Sequence, residues 1–219
     1  MNANTNSSWR YDAPGKAVRY RDRSPRRNRA EARLLKRLLG PLGRGLGRVL
    51  DVPCGTGRLC GLLDEAGTWH GADGSLAMAR LAQTATGRGV LCARIEALPF
   101  ADRAFDTVVC FRYLHHVEPA LQESVVAELQ RIANRNVVLS AFHPRSAHRF
   151  SRELRATLSR SRRLARFPTP PRRLDAWLAA RGFAALGRRR QGLLSDLWVG
   201  AWQRREPRGF AAHASARRS

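Results

Sequence analysis

Lysine is nearly absent from this chain. Its 219 residues hold two lysines against 38 arginines and only 17 acidic groups, so the net charge is +23. Hydrophobic residues make up 43% of the sequence. That proportion argues against a disordered chain and leaves room for one α/β domain with a buried core. No apolar run approaches the roughly 18 residues of a membrane-spanning helix. The first ten residues, MNANTNSSWR, lack the apolar centre of a secretory signal. The expectation is a cytoplasmic protein without a transmembrane segment. Cysteine is scarce too: Cys54, Cys60, Cys92 and Cys110 form no C-x-x-C pair. The spacing argues against a disulfide framework and against a metal site, and favours reduced thiols buried in core elements. No internal repeat is visible.

The basic excess is unevenly placed. Residues 1–48 carry net +10, residues 49–142 net −2 and residues 143–219 net +15. A GC-rich coding sequence explains arginine over lysine, but it does not explain a spared middle. The flanks are where an anionic partner is expected.

Residues 24–39 read as a helix, with Ser24 as N-cap, Pro25 in the first turn and a Leu34, Leu35, Leu38, Leu39 stripe closed by Gly40-Pro41. From residue 48 strands and helices alternate: strand 48–53, helix 57–67, strand 68–73, helix 75–87, strand 89–95, strand 105–112, helix 117–133, strand 136–142. The near-continuous apolar run FDTVVCFR marks the fourth strand as central. This alternation predicts an α/β, doubly wound, Rossmann-like and mostly parallel sheet. After Pro144 the pattern breaks. Residues 146–166 read as an Arg-rich helix with Phe150, Leu154 and Leu158 on one face. A helix at 173–183 and two antiparallel strands, AALGRRRQ and DLWVGAWQR, follow. The expected organisation is a basic tail with cover helices at 1–47, a domain at 48–203 with a basic helical insertion at 144–172, and a mobile basic tail at 204–219.

The sharpest local element is VLDVPCGTGRL (49–59). A strand ends in Asp51, and a turn then presents Gly55 and Gly57 before a helix. Glycines admit a ligand close to the backbone, and free N–H groups at a helix start favour an anion. Alone, such a loop serves a nicotinamide cofactor or a plain turn equally well. Sixteen residues after Gly57 stands Asp73, at the end of the second strand, where a carboxylate can accept both hydroxyls of a ribose. IEALPFADRAFDTVVCFRYLHHV (95–117) follows.

In this order and spacing the motifs resemble the class I S-adenosylmethionine-dependent methyltransferases. The resemblance is to the broad small-molecule and quinone-type subgroup with E-x-L-P-F, F-D-x-V and L-H-H motifs. It covers about residues 48–142 and, more weakly, 173–203. It implies S-adenosylmethionine as cofactor. Asp51 and the loop through Pro53, Cys54, Gly55 and Gly57 would hold the methionine part. Asp73 would take the ribose hydroxyls, with Gly74 and Ser75 beside the adenine and Arg94 and Ile95 along its edge. Phe111 and Arg112 would sit near the sulfonium and the acceptor. Tyr11 and Tyr20 fall where relatives place an N-terminal cover. Two positions depart from the family pattern. Pro53 stands where glycine is usual, which removes an N–H. Arg94 stands where an aspartate often meets the adenine amino group.

No obvious catalytic dyad is present. Methyl transfer from a sulfonium needs alignment and exclusion of water more than a base. His115, His116 and His143 are the candidates for proton transfer, although the resemblance gives the His115-His116 pair a scaffold role, and Asp106 reads as structural. The absence of N-P-P-[YF] after the fourth strand argues against adenine-type amine methylation. The expected acceptor is a small-molecule, phosphorylated or lipid-linked metabolite. RNA methylation, or a basic binding protein on a degenerate scaffold, is the alternative. Ten arginines and one acid between residues 144 and 173 also predict weak, salt-sensitive association with RNA or an anionic membrane.

Overall fold

The structure, a computed structural model, describes residues 12, 17, 25–42, 45–144, 166–192 and 195–205. Seven strands form one sheet: β1 (Gly47–Asp51), β2 (Gly67–Asp73), β3 (Val90–Cys92), β4 (Phe105–Cys110), β5 (Ala133–Phe142), β6 (Phe183–Arg190) and β7 (Leu197–Arg204). Their order is β3-β2-β1-β4-β5-β7-β6. The pairs from β3 through β5 are parallel. β7 runs antiparallel to both of its neighbours, β5 and β6. The helices are α1 (Pro25–Leu39), α2 (Cys60–Asp64), α3 (Leu76–Thr86), α4 (Pro119–Ile132) and α5 (Pro171–Ala179). This is the doubly wound sheet expected from the alternation, with an antiparallel C-terminal strand.

Side-chain alternation along the strands builds two cores, one on each face. Leu50, Val108, Cys110, Val137 and Leu139 join α4 and α5 through Val125, Leu129, Leu174 and Leu178. Val49, Val109, Val138 and Phe142 face the other way, onto Leu35 and Leu38 of α1, Leu63 of α2 and Trp69. β4 is therefore buried on both sides, as its apolar run requires. Leu34, Leu35, Leu38 and Leu39 are all buried. At about 1.5–3 kcal/mol per buried leucine side chain, this stripe is enough to seat α1 on the sheet.

Caps follow the sequence. Ser75 Oγ accepts the Met78 N–H, and Gly87 closes α3 in the left-handed region (φ 67°). Arg131 pins the LPFAD turn by donating to the carbonyls of Leu98 and Phe100 and to Glu128 and Asp102. Asp106 accepts the Arg48 N–H and an Asn134 Nδ2 proton, which holds its carboxyl below the usual range. Its role is structural.

Three expectations need correction. Helix α2 is five residues long, not the whole of 57–67, because the turn around Gly57 (Cys60 N–H to Gly57 O, 3.0 Å) uses up its first residues. β3 pairs only over Val90–Cys92, and β5 begins earlier, at Ala133. The thiols are not uniformly buried: Cys54 and Cys110 are, Cys60 is intermediate and Cys92 is exposed. Cys92 ends a three-residue edge strand, and its side chain reaches solvent. Gly47 opens β1 and Arg204 closes β7. The guanidinium of Arg204 donates to Gln130, Ala133 and Asn134 carbonyls. Ser24, Tyr11, Tyr20, the tail from residue 206 and the Arg-rich helix expected at 146–166 lie outside the described residues, apart from Arg166.

Candidate functional site

The chain runs from β1 outward to β3 and then returns to β4 on the other side of β1. That reversal opens a crevice beyond the carboxyl ends of β1 and β4, the usual ligand position in an open α/β sheet. Most of the residues singled out from the sequence are gathered there or at the end of β2. Gly55 and Gly57 have φ of 60° and 73°. At Gly57 an added Cβ would also lie 2.7 Å from Thr86 Cγ2, so both conformation and space call for glycine. The Val52–Pro53 peptide is cis, and Cys54 N–H donates to Ala72 O at 2.8 Å, tying the loop to β2.

Asp51 ends β1 and is buried. Its Oδ2 accepts the indole N–H of Trp69 at 3.4 Å, while Oδ1 is buried without a hydrogen-bond partner. Burial pushes its carboxyl up to about 7, against the opposing influence of Trp69 and the nearby Arg58 charge. Asp73 ends the adjacent strand β2 and accepts the Gly55 N–H at 2.8 Å and the Ser75 N–H at 2.9 Å. Burial lifts it to about 6 despite those two bonds. Two carboxylates thus flank a glycine loop, one of them with an unused buried oxygen.

Other expected residues are placed less simply. Gly74 is half-buried, and Ser75 is buried with its Oγ shared between Met78 and Asp12. The Arg94 side chain is 61% exposed and lies 3.6 Å from Glu96, turned to solvent. The Ile95 side chain belongs to the core with Leu98 and Tyr113. Phe111, the residue after β4, is buried in the core on the α1 side of the sheet, with the Arg58 guanidinium 5.2 Å over its ring. His115 is fully buried and stacks on Phe142 at 3.8 Å, with the His116 ring 4.1 Å away. His143 is half-buried, and its N–H donates to Asp196 O at 2.7 Å. The structure thus gathers Asp51, Cys54, Gly55, Gly57, Asp73 and Phe111 around the crevice, and puts His115 into the core.

Three residues of this region were missed by sequence reasoning. Glu31 of α1 is 1% exposed and bridges Arg58 (3.0 Å) and Arg112. Its signal was present: it is the sole acid of α1, on the same stripe as Leu34, Leu35 and Leu38. Arg58 was passed over as the helix residue following the second glycine. Asp12 accepts the Ser75 hydroxyl at 2.6 Å and the Ala77 N–H at 3.2 Å, so its carboxylate adds to the cap of α3. Arg112 itself has φ 61°, and its N–H donates to Ser140 Oγ at 2.6 Å. A left-handed non-glycine residue held in place by its surroundings is common at a functional site. Among the described residues no His/Cys/Asp/Glu group is arranged to hold a metal, and no helix is long and apolar enough to cross a membrane.

Residues 50–141 match the family model for a methyltransferase domain. An uncharacterized protein of Methanocaldococcus jannaschii is 41% identical over 63 residues, which span 29% of this chain and 24% of that protein. The fold is shared with magnesium protoporphyrin IX methyltransferase from Synechocystis PCC 6803, solved with bound S-adenosylmethionine: TM-score 0.71, 17% identity, 94% of this chain and all of that one. It is shared too with 1,6-didemethyltoxoflavin-N1-methyltransferase from Burkholderia thailandensis, solved with its substrate and S-adenosylhomocysteine: TM-score 0.64, 18% identity, 94% of each chain.

Proposed function

We propose that this methyltransferase-domain protein transfers a methyl group from S-adenosylmethionine to a small-molecule acceptor. The observation that carries the reading is the pair Asp51 and Asp73 at adjacent strand ends around the Gly55–Gly57 turn, with Asp51 Oδ1 buried and unpartnered. A buried carboxylate oxygen without a partner is costly unless a donor arrives. The cofactor's ammonium group is such a donor, and its ribose hydroxyls suit the accepting capacity left on Asp73. The donor set and the glycine cradle fit the group, whose sulfonium supplies an activated methyl and a neutral leaving group.

The chain's own residues then have three tasks. Asp51 and Asp73 bind and orient, at the two ends of one ligand. The glycine turn, with Cys54 and Phe111, brings backbone and ring close and keeps water out. Arg112, at the carboxyl end of β4 beside the crevice, faces the region where an acceptor must approach the methyl in line. Proton removal is left to the acceptor's own acidity; His143, just past the end of β5, is half-buried, whereas His115 lies in the core.

A binding protein on a degenerate scaffold is the second reading, motivated by Pro53 and Arg94. Both are accommodated. The loop is anchored past Pro53 by the Cys54 N–H, and the Arg94 side chain points to Glu96 and solvent. The small-molecule acceptor is supported by the two named relatives of the same fold, whose substrates are a porphyrin and a toxoflavin precursor. The test is calorimetric titration with S-adenosylhomocysteine, followed by labelled-methyl transfer onto fractionated small-molecule extracts and onto total RNA. Label in the small-molecule fraction and none in RNA is expected. Absence of cofactor binding would overturn the enzyme reading.

A further inference from the structure

We propose that the cavity between the C-terminal end of α1 and the β5-β7-β6 part of the sheet is a second small-molecule site, and that it takes a hydroxylated aromatic carboxylate. The site stands independently of the cofactor reading above.

The cavity has a volume of about 360 Å³, within the roughly 300–1,000 Å³ usual for small-molecule sites. Its lining includes Gly45, which leads into β1, and Asn136, which pairs with Thr107 near the start of β4. It therefore lies at the amino ends of these strands, opposite the crevice beyond their carboxyl ends. Strand alternation assigns its floor. Val199 and Ala201 of β7 face the core on the α1 side. Gln203, with its partner Asn136, and Arg189, paired with Val199, share that face. Leu38 of α1 and Leu42 just beyond it supply an apolar wall.

Three residues of the lining mark a built site. Gly187 of β6 pairs with Ala201, and an added Cβ there would meet nothing within 4 Å. Its φ is not left-handed either, so neither crowding nor conformation calls for glycine. Glycine weakens a strand and is kept where a ligand comes close to the backbone. Asn136 is 3% exposed. Its Nδ2 donates to Thr107 Oγ1 at 3.1 Å, and the Thr107 hydroxyl proton goes to Leu46 O at 2.9 Å. Thr107 Oγ1 must therefore accept, which fixes the amide orientation. Asn136 Oδ1 is left buried without a partner, which is costly unless a donor arrives. Arg189 donates from Nη1 to the Arg188 carbonyl at 3.0 Å, and among the described residues no acid pairs with it. Its fork retains donors for a bidentate carboxylate. Arg135, the other cation of the lining, is already engaged by Gly45 O at 2.7 Å and by Asp106 at 3.5 Å. A flat apolar body with a carboxylate at one end and a hydroxyl at the other answers all three residues. Arg189 takes the carboxylate, Asn136 Oδ1 accepts the hydroxyl proton, and the ring lies between the leucine wall and the bare surface over Gly187.

Calorimetry with 6-hydroxy-2-naphthoate, 2-naphthoate and 2-naphthol on the wild type, Gly187→Leu and Arg189→Gln tests the assignment. Gly187→Leu fills the cavity and leaves every polar group in place. Arg189→Gln changes one exposed residue of the edge strand and removes its charge. Urea unfolding checks that each variant is folded. The wild type should bind 6-hydroxy-2-naphthoate most tightly of the three, and Gly187→Leu should bind none of them. Arg189→Gln should lose about tenfold in affinity for the two carboxylates, as expected for a charged hydrogen bond, and bind naphthol unchanged. No binding by the wild type, or undiminished binding by a folded Gly187→Leu, overturns the site. Equal losses of all three probes in Arg189→Gln, or naphthoate as tight as its hydroxylated form, overturns the ligand class. If Gly187→Leu does not fold, Arg189→Gln decides alone. S-adenosylhomocysteine should bind all three proteins alike, because the crevice is at the other end of the sheet. Its failure to bind the wild type would remove the cofactor reading and leave this site standing.

Discussion

Asp51 offers the most direct physical test, because its carboxyl is carried from an ordinary 3.8 up to about 7 by burial. In the folded, empty protein it keeps its proton to near neutral pH, whereas in the unfolded chain it loses it near 4. Between those values the folded state binds more protons, so unfolding free energy must fall as pH rises. A difference of about three pKa units corresponds to about 4 kcal/mol at 1.36 kcal/mol per unit. Asp73, raised to about 6, adds a second contribution in the same direction between 3.8 and 6. Asp106 and Glu128 act oppositely. Their folded values are lowered by the Arg48 N–H and by Arg131, so their stabilisation is present above the unfolded values and lost on acidification. Subtracting Asp51→Asn from the wild type isolates the Asp51 contribution. Urea unfolding followed by tryptophan fluorescence, from pH 4.5 to 8.5, should show Asp51→Asn gaining on the wild type by about 3–4 kcal/mol across the range. A stability difference that stays flat with pH refutes the reasoning. The ligand supplies the complementary measurement. An ammonium beside Asp51 draws its carboxyl back down, so S-adenosylhomocysteine binding at pH 6 should release a proton into the buffer. Calorimetry in two buffers of different ionisation enthalpy reads that release directly.

Asp73→Ala removes the acceptor of the Gly55 and Ser75 N–H groups as well as the ribose partner, and should weaken S-adenosylhomocysteine binding by about 1.5–3 kcal/mol. Unchanged affinity would take Asp73 out of the site. Arg131→Ala frees the Leu98 and Phe100 carbonyls and should lower unfolding free energy by about 1.5–3 kcal/mol, measured by urea titration; a loss below 0.5 kcal/mol would show that the turn holds without it. In the native protein a thiol reagent should modify Cys92 first and Cys60 more slowly, and spare Cys54 and Cys110, whose thiols burial holds well above the ordinary range. Four equally fast thiols would contradict the burial described.

The parts of this protein that were legible in the sequence are those encoded locally. Strand alternation, the Ser75 and Gly87 caps and the Asp51-to-Gly57 turn each lie within a dozen residues, where periodicity and glycine placement speak directly. β3 was overextended because GVLCARI has the composition of a strand; pairing ends at Cys92 because β3 is the sheet edge and the chain then turns toward the core at Ile95. The thiols were misjudged for the same reason. Membership of a strand says nothing of whether that strand is central, as β4 is, or at an edge, as β3 is.

Glu31 shows why the rest of the site escaped. It lies 81 residues from Arg112 and 27 from Arg58, and no spacing rule connects the three. What the sequence does contain is a conflict: a lone acid on the stripe of a helix whose neighbours at i+3, i+4 and i+7 are buried leucines. A buried acid must be partnered, so the helix itself predicts a cation on the surface it covers. Glu31 meets that cation in the arginines of the segments that follow β1 and β4. The conflict in α1 and the arginines at the two strand exits are therefore one feature, divided between distant parts of the chain. The same principle applies to Asp51: its carboxylate satisfies a strand-end pattern locally, while its unpartnered oxygen makes sense only toward a ligand. In both cases it is the burial of the acid, and not its place in a local pattern, that points to the site.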